Sequence, residues 1–375
     1  MHNSETVCRL RATKLLVTRH SSLVTRHSVL LVRKAGSMRY LGNKDSLLPF
    51  IDEVLAMHGV KSTRENPLCV CDPFTGTTSV ARHLKRQEWQ TVTGDLMTYS
   101  YALQHAYIGI NESPTFNNLV NAGVLDGSVN LPVPLHRVIA HLNNLRGVEG
   151  FFYWNYSPDG PEGRRYFTSG NALRIDAIRN TINWWWERGW LTESERFLLT
   201  AALIEAVSRV ANIAGTYAAY LKRWDSRARK PLMLAVPQVV HSVYEHKINL
   251  ADANDVVPNT ECDLLYVDPP YNTRQYCTNY HLLETIAVGD EPETRGIAGL
   301  RNEGDSKKSA YSRAGTAEDA LSRLVKDSRA KWVLVSYNSE GVISHDKMVD
   351  ILSQRGNVEI YACEYRRFRS DADGE

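Results

Sequence analysis

The stretch from Leu68 to Asp95 constrains the fold more than any other part of this chain. Leu68-Cys69-Val70-Cys71 is a short apolar run that stops at Asp72 and a glycine-containing turn. Ser79 to Trp89 carries helical spacing, and Gln90 to Gly94 is a second β-prone run that stops at Asp95. Strand, turn, helix, strand, acid opens a doubly wound α/β domain, because two parallel strands need a crossover between them. The same texture resumes late in the chain. Asp263-Leu264-Leu265-Tyr266-Val267 reads as an apolar strand ending on Asp268-Pro269-Pro270-Tyr271, with a helix over Ala317–Asp327 and strands over Lys331–Tyr337 and Val358–Tyr365. A further helix is expected from Asp45 to Met57, where Leu47, Leu48, Phe50, Ile51, Val54 and Leu55 recur at helical spacing.

Between these halves, residues 109–245 have another character. Helical patterns run over Ala172–Trp186 and Glu193–Val210, and aromatic clusters stand at Phe151–Trp154 and Trp184–Trp186. The expected organisation is a Rossmann-like sheet domain formed by residues 38–108 and 246–375, interrupted by a largely helical insertion at 109–245. Of Trp184, Trp185 and Trp186, which span most of a helical turn, at least one should face a core. Residues 1–37 are read as a leader outside the fold. The segment repeats LVTRHS at Leu16–Ser21 and Leu23–Ser28, and its Thr, Val, Ser and His are mediocre helix formers. A foldable module then begins at Met38.

Composition narrows the function. The formal net charge is only +2, so contact with a polyanion must come from a local basic patch. The six cysteines are scattered, and Cys69 and Cys71 lack a second pair to complete a zinc site; buried thiols in a reducing, cytoplasmic setting are the simpler reading. No run approaches the roughly 20 apolar residues of a membrane span.

Asp268-Pro269-Pro270-Tyr271 is the sharpest chemical signal, because it ends an apolar strand where open α/β sheets place ligands. A carboxylate and a fixed main-chain carbonyl can each accept one hydrogen of an aromatic amino group. That localises its lone pair for attack on an electrophilic methyl, proline holds the carbonyl in place, and tyrosine offers a stacking face to an extruded base. The Asp72-Pro73-Phe74-Thr75-Gly76-Thr77-Thr78 turn would bring backbone N–H groups close to a ligand at a helix N-terminus. Asp95 suits ribose hydroxyls or, alternatively, a helix cap. Asp252 reads as a cofactor contact or as a plain loop acid.

Taken in order from Met38 onward, these residues resemble the Dam-like, alpha-class DNA adenine methyltransferases, most closely the subgroup with the FokI and NlaIII modification enzymes. The landmarks are Arg39–Lys44, the Asp72–Thr78 turn, Asn212–Tyr217, Leu221–Asp225, Asp268–Tyr276, Asn279–Thr285, Ser336–Gly341 and Tyr365–Phe368. The resemblance implies S-adenosylmethionine as donor, no metal, adenine in double-stranded DNA as acceptor and a helical target-recognition region. It assigns cofactor contacts to Tyr40, Lys44, Asp72, Phe74, Gly76, Asp95 and Asp252, with Pro73 and Thr77 in the same turn, and catalysis to Asp268, Pro269, Pro270 and Tyr271. A cognate restriction endonuclease acting independently is a candidate partner. One departure stands out: the family's turn usually reads Gly-x-Gly, and Thr78 occupies the second glycine. A β-branched residue resists positive φ, so Thr78 is expected to be helical.

For DNA contact the candidates are Lys222, Arg223, Trp224, Arg227, Arg229 and Lys230, a basic and aromatic cluster holding one acid, Asp225. Asn272, Arg274 and Gln275 follow the catalytic turn. The Gly- and Ser-rich stretch Arg301–Arg313 is expected to be a mobile loop that orders on DNA. The competing readings are an RNA or other amino acceptor, and a catalytically silent DNA-binding protein on the same fold; binding alone does not require an intact Asp268–Tyr271.

Overall fold

A computed structural model describes residues 12–19, 44–125, 134–302, 304–338 and 341–364. Its strands are β1 (Ala12–Arg19), β2 (Cys69–Asp72), β3 (Gln90–Asp95), β4 (Lys247–Leu250), β5 (Leu264–Val267), β6 (Thr294–Arg295), β7 (Leu300–Arg301), β8 (Trp332–Asn338) and β9 (Asn357–Glu364). Seven of them form one sheet in the order β4-β3-β2-β5-β8-β1-β9, while β6 and β7 make a separate hairpin. From β4 to β8 the five neighbours run parallel. β2 is the pivot: the chain moves outward through β3 to β4, then returns on the other side as β5 and β8. β5 is buried along its whole length, as is β8 up to Asn338. This is why both read as unbroken apolar runs instead of alternating ones.

The leader does not lie wholly outside the fold as expected. Ala12–Arg19 pairs antiparallel with β8 on one side and β9 on the other, with Leu15 opposite both Ser336 and Tyr361. The Thr and Val residues that argue against a helix are good strand formers, and the β8 edge offers them a partner.

Thirteen α-helices complete the described structure. α1 (Leu48–Met57) and α2 (Ser79–Arg86) cover one face of the sheet, burying Phe50, Ile51, Val54 and Leu84 against Tyr266, Leu334 and Tyr361. α3 (Thr98–Gln104) runs into a π-helical turn at His105–Gly109 and on to α4 (Asn117–Asn121), α5 (Leu135–Asn143), α6 (Phe151–Tyr156), α7 (Ser169–Glu187) and α8 (Glu193–Val210). Then come α9 (Ala253–Val256), α10 (Tyr276–Asn279), α11 (His281–Val288), α12 (Ala317–Asp327) and α13 (His345–Ser353). α9, α12 and α13 pack on the opposite face of the sheet, against Leu265, Val267, Val333 and Val335.

The remaining helices share a separate core. α8 starts at a reciprocal cap in which Thr192 and Glu195 bond each other's backbone N–H, and Glu195 also accepts from the N–H of Phe116 (2.7 Å). This core joins α5–α8 to α3 and to Leu282, Leu283 and Ile286 of α11. The inserted helices therefore share one continuous core with α3 and α11. Trp185 is buried in it, while Trp184 and Trp186 are exposed. Among the described residues no helix is long and apolar enough to cross a membrane.

Candidate active site

β2 and β5 lie side by side and parallel, with Cys71 level with Leu265, so Asp72 and Asp268 emerge at the same edge of the sheet. This is where the strand order reverses, and the helices leave a crevice there. The crevice opens to solvent and is lined by the ends of both strands and the turns that follow them. Lys44, just before α1, reaches in and places its ammonium 2.6 Å from Asp268 Oδ2. The turn after β2 is stitched to the end of β3. The backbone N–H of Gly76 donates to Asp95 Oδ2 (2.9 Å), that of Met97 donates to Asp95 Oδ1 (2.9 Å), and Thr75 exchanges two backbone-directed bonds with Gly94.

Four carboxyl groups, those of buried Asp72 and of the partly buried Asp95, Asp252 and Asp268, therefore share the crevice with the ammoniums of Lys44 and Lys307. Burial pushes Asp72 well above the usual carboxylate range, and the charge of Asp268 pushes it further. Asp95 is raised by burial against the opposing pull of the Met97 and Gly76 N–H groups. Asp268 is raised by burial and held down by Lys44. Each of Asp72, Asp95 and Asp268 thus costs more to ionise here than in water, and a nearby positive charge would offset that cost.

Of the residues expected to hold a cofactor, Lys44, Asp72, Pro73, Phe74, Gly76, Thr77, Asp95 and Asp252 all line this cavity. Tyr40 lies outside the described residues, as do the neighbouring Arg39 and Leu41–Asn43, Ser339, Glu340 and Tyr365–Phe368. Asp95 is not the cap of α3; its carboxylate instead fixes the two loops around it. Asp252 caps α9, accepting from the N–H of Asn254 (2.8 Å), and also lines the cavity. Asp268 and Pro270 line the cavity. Pro269 is buried, and Tyr271 is half-buried against the core beside β8, where its carbonyl accepts from the N–H of Val342 (3.0 Å).

Thr78 corrects a sequence expectation. It is not helical but left-handed, with φ +65° and ψ 11°, immediately before α2. The turn keeps the backbone a glycine would adopt and accepts a strain of about 1–2 kcal/mol. The Thr78 hydroxyl is buried without a hydrogen-bond partner. The bonds from Thr75 and Gly76 to β3 set the path of the turn, and residue 78 follows it.

Within the Arg301–Arg313 stretch, the described residues from Gly304 onward include several that are hydrogen-bonded into the fold. Lys307 Nζ donates to the Leu96 carbonyl (2.6 Å) and lies 3.6 Å from the buried carboxylate of Glu284. That carboxylate also accepts from the N–H groups of Thr98 and Tyr99 (3.0 Å each) at the start of α3. Ser309 and Gln275 bond reciprocally, and the Tyr311 ring meets Phe74 edge-on at 4.9 Å. Lys307, Ser309 and Tyr311 thereby form one wall of the cavity, and Tyr266 and Tyr276 contribute to it. None of these was legible in the sequence, because a charged Gly- and Ser-rich stretch gives no sign of where it docks.

The expected DNA-contacting cluster is an irregular loop, not a helix. Buried Asn212 holds it: its amide donates to the carbonyls of Arg165 and Leu221 (2.9 Å each), and its Oδ1 accepts from the N–H of Asp225 (2.8 Å). Asn171 does the same for the carbonyls of Ala228 and Lys230. Lys222, Arg223, Arg229 and Lys230 are exposed, and Trp224 is half-buried. Arg227 is paired locally with Asp225 (2.6 Å). Arg274 is exposed; Asn272 accepts from its N–H (3.0 Å), and Gln275 is tied to Ser309.

Comparison with known proteins adds to this geometry. The family model for D12 class N6 adenine-specific DNA methyltransferases matches residues 40–351. The chain is 38% identical over 339 residues to the type II methyltransferase M.FokI of Planomicrobium okeanokoites, a match taking in 89% of this chain and 50% of that protein. It is 33% identical to the modification methylase StsI of Streptococcus sanguinis, over 89% of this chain and 49% of that one. Identity to the type II methyltransferase M.NlaIII of Neisseria lactamica is also 33%, over 89% of this chain and 93% of the relative. The chain thus spans about half the length of the first two and nearly all of the third. No solved structure matches it.

Proposed function

The chain belongs to the D12 class of N6 adenine-specific DNA methyltransferases, and from that membership we propose that it methylates the N6 amino group of adenine in a short duplex target, using S-adenosylmethionine. The observation that carries the reading is the placement of Asp268 and Pro270 in the same crevice as Lys44, Asp72 and Asp95. The names of the relatives, type II methyltransferases and a modification methylase, support a role as the protective arm of a restriction–modification pair.

The residues present suit the donor. Its ammonium and sulfonium charges match the surplus of carboxylates lining the crevice, and its ribose hydroxyls match Asp95. Asp72, the Phe74–Thr77 turn and Lys44 would hold the methionine end, and Asp252 the adenine. When bound, S-adenosylmethionine supplies an electrophilic methyl group. The chain's own contribution is positional and electrostatic. Asp268 and a carbonyl of the Pro269-Pro270 turn accept the two hydrogens of the target amine, and Tyr271 stacks on the extruded base. Lys44 keeps Asp268 charged, and the Lys307–Tyr311 wall excludes water.

Single-molecule methylation sequencing of DNA from a methylation-deficient host expressing the chain tests the reading. Methyladenine confined to one short motif is the expected result. Unmodified adenine throughout, from soluble protein, would overturn it. The wall makes a second prediction. Lys307→Met should weaken S-adenosylmethionine binding by about 10-fold, as expected when a charged hydrogen bond next to a buried carboxylate is lost. The saturated turnover rate should change far less. Calorimetric titration giving wild-type affinity would remove Lys307 from cofactor binding.

A further inference from the structure

The β6–β7 hairpin turns through Gly296-Ile297-Ala298-Gly299, and every carbonyl of that turn accepts a hydrogen bond from a buried side chain beneath it. Arg164 Nη2 donates to Gly296 O (3.1 Å) and Arg164 Nε to Ile297 O (3.0 Å). The Tyr166 hydroxyl reaches Ala298 O (3.1 Å), and the Tyr156 hydroxyl donates to Gly299 O (2.9 Å). Arg164 is 4% exposed and both tyrosines are fully buried. Gly299 at φ +64° fits because a Cβ there would come within 3.0 Å of both Arg164 and Tyr156. Below the hairpin, Arg301 pairs with Asp290 (2.5 Å), and Arg179 donates to the Asp290 carbonyl.

This mount holds up an isoleucine. Ile297 is 86% exposed, the most exposed of the large hydrophobic side chains among the described residues. Tight turns ordinarily carry polar residues, which cost nothing in water. A rigid turn with its polar backbone bonded inward and one branched apolar side chain aimed outward has the form of a wedge.

The same layer of bonds carries the surface proposed to meet DNA. Tyr166 shares its hydroxyl hydrogen between Ala298 O and Tyr217 O. Arg165 donates to the Lys222 carbonyl (2.9 Å), at the start of the basic loop. The N–H of Tyr217 donates to Asn279 O (2.7 Å) on α10, which directly follows the Asp268–Gln275 segment. The tip, the phosphate-facing loop and the flank of the catalytic turn are thus braced against one another.

We infer that Ile297 is a positioning residue for base extrusion: it enters the duplex beside the target adenine and fills the stack the base vacates. The inference rests on the proposed function. Apolar side chains inserted between base steps are a general means of unstacking DNA, and an unpaired or mismatched base needs less such help. The occupant is therefore a base step of duplex DNA, held in register by the basic loop.

The test is single-turnover methyl transfer by wild type, Ile297→Ala and Ile297→Leu on two duplexes carrying the same target. In one the adenine is paired; in the other it faces an abasic site. Ile297→Ala should be slower than wild type by about 10-fold or more on the paired duplex and close to wild type on the abasic one. Ile297→Leu should retain most of the rate on both. Equal rates for Ile297→Ala and wild type on paired DNA would overturn the inference. So would a defect that persists undiminished on the abasic duplex, which marks a plain contact. Wild-type protein that methylates neither duplex overturns the proposed function itself, and is thereby told apart from failure of the wedge alone.

Discussion

Asp268→Asn is expected to slow methyl transfer by about 10³-fold or more while duplex binding is largely kept. The substitution preserves the shape of the side chain and removes the charge that accepts an amino hydrogen. Asparagine also brings an NH₂ group that repels the target amine. It also removes the carboxylate charge 2.6 Å from the ammonium of Lys44, which is 7% exposed. Single-turnover tritium transfer together with electrophoretic DNA binding measures both halves of the expectation, and a rate within tenfold of wild type would end the assignment of Asp268. The pH dependence follows from the same pair. Asp268 must be ionised to act, and burial raises its pKa. The rate therefore falls as pH drops through a value above that of a free aspartate, about 3.9. Lys44→Met removes the influence that lowers this pKa and should move the acid limb to still higher pH. Stability runs the other way. Asp72, Asp95 and Asp268 all bind a proton more tightly folded than unfolded. Their protonation favours the ligand-free fold at low pH, a contribution lost as pH rises through the folded-state values.

Asn212→Ala should destabilise the protein by about 3 kcal/mol, roughly 1 kcal/mol for each of the three partly buried backbone hydrogen bonds it removes. Those bonds are made with the carbonyls of Arg165 and Leu221 and the N–H of Asp225. The loop presenting Lys222, Arg223, Arg229 and Lys230 should loosen in consequence, weakening DNA binding even though no charge has changed. Denaturant titration reads the first effect and DNA affinity at matched salt the second. A stability loss well under 1 kcal/mol would show that the loop is held by something other than Asn212.

The centre of this fold was legible from sequence wherever burial on both faces forced a continuous apolar run. β2, β5 and β8 announce themselves in that way, and the acids ending β2, β3 and β5 mark the crevice. β4 does not, because Lys247–Leu250 is an edge strand of only four residues, exposed or half-buried, and its Lys-Ile-Asn-Leu alternation is too short to stand out. Ala12–Arg19 escaped for a related reason: its residues argue against a helix and offer no local partner, since β8 and β9 lie more than 300 residues away. The residues on the strand ends and in the Asp72–Thr78 turn were found because their chemistry is local. Lys307, Tyr311 and Tyr266 were not, because each reaches the cavity from a distant or inward-facing position. The basic loop was recognised by charge, but the amides that shape it, Asn171 and Asn212, are ordinary polar residues until their bonds are seen.

Thr78 carries the remaining lesson. Its backbone stands where glycine is favoured, and the turn holds that shape because Thr75, Gly76 and Asp95 lock it to the neighbouring strand. The geometry is thus a property of the neighbourhood more than of the residue. In a lineage with this architecture the motif's second glycine is free to drift while the loop persists, whereas drift at the stitching positions would let the loop go. A search that scores kinship by the glycine would pass over such chains; one that scores the Asp95 partnership would keep them.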